Sequence, residues 1–83
     1  MTEADDLQYK AEIALVELLE AINDMKTDNQ LKWNELIEIE SNVKMAYDFN
    51  RSLSRYSENG AIDGKYFLAY VARIRAKLNL DYL

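Results

Sequence analysis

The 83-residue sequence contains no cysteine, no histidine and no proline, and it has only two glycines. Without cysteine, the chain cannot form disulfides, bind zinc through sulfur or use a thiolate as a nucleophile. Without histidine, it lacks the commonest general base and the imidazole ligand of many metal sites. Because few residues favour turns, the composition indicates long helices.

The carboxylates that remain do not form a recognisable catalytic or metal-binding motif. Glu17 with Glu20, and Glu35 with Glu38, have the i, i+3 spacing found in helical di-iron sites. Such sites also need a Glu-x-x-His motif, which a chain without histidine cannot supply. Neither glycine belongs to a phosphate-binding fingerprint. We therefore expect no enzymatic activity, metal, cofactor or small-molecule substrate, and we expect these glutamates to form a solvated helix face.

Hydrophobic residues make up 49% of the chain and charged residues 30%, which predicts one globular domain over residues 1-83. The net charge of −5 does not favour binding to nucleic acid or to an anionic membrane. The apolar runs are far shorter than a membrane span. The residues that follow Met1 lack the basic start and apolar stretch of a signal peptide, so we expect a cytoplasmic location.

The spacing of the apolar residues predicts an all-α fold, namely a three-helix antiparallel bundle. Residues 3-26 and 29-59 are expected to form a long hairpin, and residues 64-79 a shorter third helix. Gly60 is expected to end the second helix as a left-handed cap, and Asp63 to cap the start of the third.

The first predicted helix carries two apolar stripes. The main stripe, at helical spacing, consists of Leu7, Ala11, Ala14, Leu18, Ile22 and Met25. The second stripe lies on the back of the N-terminal half and consists of Tyr9, Ile13 and Val16. Two apolar faces predict two packing neighbours for that half of the helix.

The third predicted helix is too short to cover the whole hairpin. At about 1.5 Å per residue, the second helix would span roughly 40 Å and the third only about 24 Å. We expect the third helix to pack on the C-terminal half of the second helix and the N-terminal half of the first. The turn end of the hairpin would then remain uncovered.

An uncovered turn end predicts a self-association or partner-binding surface that includes Leu19, Trp33 and Ile37. Contiguous exposed apolar surface usually marks an interaction site, and tryptophan is enriched at binding hot spots. The alternative is that Trp33 folds back across the hairpin turn and closes the core there.

The C-terminal residues Leu80, Asp81, Tyr82 and Leu83 form a second candidate binding segment. An acid among leucines and a tyrosine at a chain end resembles the short hydrophobic peptides that polymerases and phage transcription coactivators insert into sliding-clamp pockets. The resemblance covers only these residues, and it implies docking through Leu80, Tyr82 and Leu83. The alternative is that they continue the third helix and pack on the bundle.

Together these features predict a non-enzymatic protein–protein interaction module, a small helical adaptor or inhibitor that forms a homodimer or binds a protein partner. The alternative is a transcription or replication accessory factor, for example phage-encoded, that docks through the C-terminal tail or the basic third helix. The bases Arg73, Arg75 and Lys77 lie in the C-terminal half of that helix. Recognition helices read DNA mainly with their N-terminal residues, so nucleic acid is not the expected partner.

Overall fold

The computed structural model describes residues 3–28, 33–52 and 58–79. The helices in these ranges are α1 over Glu3–Asp28, α2 over Trp33–Ser52 and α3 over Glu58–Lys77. The prediction of a small all-α bundle of three helices is confirmed. With 20 residues, α3 is shorter than α1, which has 26, and equal in length to α2.

Helices α1 and α2 form the predicted antiparallel hairpin, and side chains join them at both ends. Near the start of α1, the backbone carbonyl of Gln8 accepts a hydrogen bond of 3.2 Å from Nδ2 of Asn50, near the end of α2. Near the end of α1, Nζ of Lys26 lies 2.8 Å from Oε2 of Glu40. These two contacts set the register of the hairpin.

Helix α3 runs in the same direction as α1, from Gly64 at the start of α1 to Leu78 near its end. Gly64 lies against Leu7 near the start of α1. Near the other end of the bundle, Leu78 lines a small cavity of about 60 Å³ together with Met25 and Leu36. The prediction that α3 leaves the turn end of the hairpin uncovered is therefore wrong. Helix α3 begins at Glu58 rather than at residue 64, and the chain at its C-terminal end reaches the turn end of the hairpin.

The core is built around the main stripe of α1. The buried apolar residues are Ala11, Leu15, Leu18, Ile22, Leu36, Ile39, Val43, Phe67 and Val71. Each fully buried leucine, isoleucine or valine contributes about 1.5–3 kcal/mol relative to an exposed position. Leu7, Ala14 and Met25, which also belong to the main stripe, are partly buried. Helix α1 is thus the central element, and both α2 and α3 pack on its main stripe.

Helix α1 extends beyond the end that the sequence suggested. It continues to Asp28, past the predicted end at residue 26, and the hydroxyl of Thr27 donates a hydrogen bond of 3.2 Å to the carbonyl of Asn23. Helix α2 is described over Trp33–Ser52, and residues 53–57, which were predicted to continue it, lie outside the described residues. The hydroxyl of Ser52 donates a bond of 2.7 Å to the carbonyl of Phe49 in the same helix.

The two glycines lie inside α3 and do not form the predicted loop before it. Helix α3 begins at Glu58, so Gly60 does not cap α2 and Asp63 does not cap α3 at its first residue. Gly64 has no positive φ. A Cβ atom at Gly64 would lie 2.8 Å from the backbone carbonyl carbon of Leu7, closer than real Cβ atoms approach other heavy atoms. Gly64 is therefore required for the close crossing of α1 and α3, which a reading of glycine as a helix breaker missed.

Helix α3 ends at Lys77, close to the predicted end at residue 79. Asn79 adopts a left-handed conformation with a φ of 59°. The backbone N–H of Asn79 donates a hydrogen bond of 3.1 Å to the backbone carbonyl of Ala76. Asparagine tolerates this conformation better than most residues, so it replaces the glycine that commonly ends a helix.

Candidate protein-binding groove

The second apolar stripe of α1 remains on the surface of the bundle. Helices α2 and α3 both pack on the main stripe, so the predicted second packing neighbour does not cover the back of α1. Tyr9 is 52% exposed and Ile13 is 41% exposed, while Val16 is half-buried. The central helix of this small bundle therefore carries an apolar stripe that is in contact with water.

This stripe forms one wall of a groove with a volume of about 470 Å³. We define the α1 groove by its lining residues, which are Tyr9, Glu12, Ile13, Val16, Glu17, Glu20 and Tyr47. Six of these residues come from α1, and Tyr47 of α2 forms the opposite wall. Because Tyr47 packs against the core, this wall is anchored to the fold of the bundle.

Arg51 holds Tyr47 and Glu12 together beside the groove. Its Nη1 donates a hydrogen bond of 3.3 Å to the phenol oxygen of Tyr47, and its guanidinium carbon lies 5.8 Å from the centre of that ring. Its Nε lies 3.4 Å from Oε1 of Glu12. The bond to Tyr47, followed by the charge of Glu12, raises the pKa of Arg51 above its ordinary value. Arg51 therefore links Tyr47 of its own helix to Glu12 of α1.

Three carboxylates give the α1 groove a negative charge. Glu12 is partly buried and paired with Arg51, whereas Glu17 and Glu20 are exposed. Within the part of the chain that the structure describes, no three acidic side chains come close enough to hold a metal ion. The glutamates of the groove are spaced along α1 and act as separate charges at its edge.

The residues predicted for the turn-end surface lie apart from the α1 groove. Leu19 is partly buried and packs against the core. Trp33 is the first residue of α2 and is 48% exposed, so it does not close the core by full burial. Ile37 is half-buried and lies one turn beyond Trp33 on the same side of α2. A binding role for these three residues stays a prediction.

The other predicted docking elements are only partly described. Leu80, Tyr82 and Leu83 lie outside the described residues, so docking through the tail stays a prediction. On α3, Arg73 and Lys77 are exposed, whereas Arg75 is half-buried and already takes part in an interaction within the structure. The accessory-factor hypothesis therefore rests on the sequence pattern alone.

Sequence reasoning found half of the α1 groove and missed the other half. The stripe of Tyr9, Ile13 and Val16 was recognised, but it was expected to be covered by a helix of the same chain. Tyr47 was not recognised, because its position opposite α1 depends on the register of the hairpin. The missed signal was the interleaving of the second stripe with Glu12 and Glu17, which a stripe buried within a bundle would not tolerate.

Comparison with protein-family models, with curated proteins and with solved structures found no match to this chain. Among residues 3–28, 33–52 and 58–79, no helix combines the length and apolar character that a membrane span requires. A functional interpretation therefore rests on the geometry and chemistry of the described surface.

Proposed function

We propose that this protein is a non-enzymatic protein–protein interaction module whose binding surface is the α1 groove. The observation that carries the proposal is the exposure of Tyr9 and Ile13 on a helix whose opposite side already forms the core. When one side of a helix is already buried in the core, apolar residues on its exposed side do not add to the stability of the fold. Contiguous apolar surface of this kind usually marks an interaction site.

The composition of the α1 groove supports this proposal. Tyrosine is enriched at binding hot spots, and the groove has one tyrosine in each wall, Tyr9 and Tyr47. Tyrosine supplies a large apolar contact together with a polar tip, and it has few rotatable bonds to immobilise on binding. The bond from Arg51 orients Tyr47 before a partner arrives, which lowers the entropy cost of binding.

Site-specific photo-crosslinking in cells that express the natural partner tests the proposal. A photoreactive phenylalanine derivative replaces Ile13 in one variant and the exposed Ala76 of α3 in a control variant. We expect the Ile13 variant to form covalent adducts with a discrete partner and the Ala76 variant to form none. An excess of unlabelled wild-type protein should prevent these adducts, whereas an unlabelled competitor with Tyr9→Ser and Ile13→Ser should not.

Two outcomes contradict the proposal. The first is that Ile13 and Ala76 give the same adducts, which indicates collision without a specific surface. The second is that the Tyr9→Ser, Ile13→Ser competitor is as effective as the wild type while circular dichroism shows that it is folded. In that case the partner binds, but the α1 groove does not bind it.

A further inference from the structure

We infer that the α1 groove recognises a basic amphipathic helix, with an apolar stripe flanked by lysine or arginine, on a protein other than a second copy of this chain. This inference rests on the proposed function and names the chemical class of the partner. The argument comes from the length of the groove, the cost of covering its carboxylates and the symmetry of a self-complementary contact.

The length of the α1 groove matches a few turns of a helix. Its lining residues on α1 extend from Tyr9 to Glu20. At about 1.5 Å per residue, this stretch is roughly 16 Å long, or about three helical turns. Binding an amphipathic helix in an apolar groove is a common mode of peptide recognition, with contacts at i, i+3 or i+4 and i+7. Tyr9, Ile13 and Val16 have this spacing and can face such a stripe.

The exposed carboxylates specify the charge of the partner. Glu17 lies to one side of the apolar stripe, and Glu20 lies in line with it at the far end. A partner that covers Ile13 and Val16 also removes water from these glutamates. Desolvating a carboxylate is costly unless an opposite charge replaces the water. Glu12 is already paired with Arg51. The partner must therefore supply bases opposite Glu17 and Glu20.

A second copy of this chain does not meet this requirement through the same surface. In a symmetric dimer the same patch faces itself. In such a contact residue i of one copy meets residue j of the other, and none of the described lining residues is a lysine or arginine, so a second copy would bring tyrosine, apolar or acidic side chains opposite Glu17 and Glu20 and no base. The groove therefore favours a different protein with a basic helix, and a dimer formed through Ile13 is an outcome that would overturn the inference.

Two synthetic peptides of about 16 residues test the charge class directly; about 11 or 12 residues of each match the length of the groove, and the rest extend the helix beyond it. Both peptides have leucines at i, i+4, i+7 and i+11 on an alanine background, and the flanking positions hold lysine in one peptide and glutamate in the other. Binding to the intact protein is measured by fluorescence anisotropy of a terminal dye at two salt concentrations. We expect the lysine peptide to bind at least about tenfold more tightly than the glutamate peptide, and to weaken as salt increases.

A charge-reversal variant and its matched control assign this preference to the groove. The Glu17→Lys, Glu20→Lys variant should bind the glutamate peptide more tightly than the lysine peptide. The control, Glu35→Lys with Glu38→Lys, changes two exposed acids with the same i, i+3 spacing on α2 and the same net charge. The control should keep the preference of the wild type. All substituted positions are exposed, and thermal unfolding of each variant checks that the fold is retained.

Several results would overturn the inference without affecting the proposed function. Equal binding of the two peptides would show an apolar groove that does not select charge. A control variant that changes the preference as much as Glu17→Lys, Glu20→Lys would show an effect of net charge alone. If neither peptide binds although Ile13 gives specific crosslinks, or if those crosslinks join two copies of this chain, the partner is not a basic helix. Failure of the Ile13 crosslinks themselves would instead contradict the proposed function.

Discussion

Replacing Gly64 by alanine provides the sharpest test of the helix arrangement, because two opposite effects compete at this position. In the interior of an exposed helix, Gly→Ala stabilises by about 1 kcal/mol. Here the added Cβ would lie 2.8 Å from the carbonyl carbon and from Cβ of Leu7, and 3.0 Å from its carbonyl oxygen. Two of these three atoms belong to the backbone of α1, so no side-chain rotation can relieve the contact.

The expected result of Gly64→Ala is a net loss of stability. Forcing extra volume into a well-packed contact costs about 1–3 kcal/mol, and α1 and α3 have to move apart along a crossing that buries Phe67 and Val71. After the gain in helix propensity of about 1 kcal/mol, we expect the free energy of unfolding to fall by up to about 2 kcal/mol. In a domain of this size, such a loss lowers the melting temperature by several degrees, at about 4–8 °C per kcal/mol.

Urea and thermal unfolding followed by circular dichroism measure this change. The matched control is Ala72→Gly on the exposed side of α3, which changes propensity without changing a helix contact and should cost about 1 kcal/mol. A Gly64→Ala variant that is more stable than the wild type by about the propensity difference would refute the close crossing of α1 and α3. Gly64→Leu should be more destabilising than Gly64→Ala if steric overlap is the cause.

Three further predictions concern buried polar groups and charges. Gln8 is 2% exposed, and neither polar atom of its side chain has a hydrogen-bond partner. Gln8→Leu should therefore raise the free energy of unfolding, measured in urea, by about 1–2 kcal/mol. A decrease would show that the Gln8 side chain forms a hydrogen bond in solution. Asn50 can still donate to the backbone carbonyl of residue 8 in that variant. The Lys26–Glu40 ion pair is partly buried, and a double-mutant cycle with Lys26→Met and Glu40→Gln measures its coupling energy. We expect about 1 kcal/mol or more, whereas an exposed ion pair on one helix gives about 0.3–0.5 kcal/mol. Burial raises the pKa of the Tyr70 phenol, so the unfolded chain ionises first as pH rises above about 10. The stability that Tyr70 contributes is present below that pH and is lost as pH rises through the raised pKa, and Tyr70→Phe should reduce this alkaline loss in urea titrations.

Apolar spacing was sufficient to predict the helices and the core stripe of α1. Leu18 and Ile22 repeat at the helical period, and a stripe of that kind has to be buried whatever its neighbours are. The same argument identified the stripe of Tyr9 and Ile13 as a second apolar side. These conclusions depend only on positions along one helix, which the order of residues determines directly.

The interior bounds of the helices could not be predicted in this way. Gly60 and Gly64 suggested a loop because glycine weakens an isolated helix by about 1 kcal/mol. In the folded chain, the absence of a Cβ at Gly64 permits a close contact with Leu7 that a larger residue would prevent. The gain from packing two helices closely outweighs the local preference. Only the tertiary contact reveals which of the two roles a glycine has.

The amino-acid sequence by itself determined the fold class and the two apolar stripes of the first helix, because each follows from composition and helical period. The tertiary structure decided which stripe is covered. Helices α2 and α3 both pack on the main stripe, so Tyr9 and Ile13 stay exposed and Tyr47 completes a groove beside them. That outcome depends on the register and length of helices far apart in the chain, and no pattern within one helix contains this information.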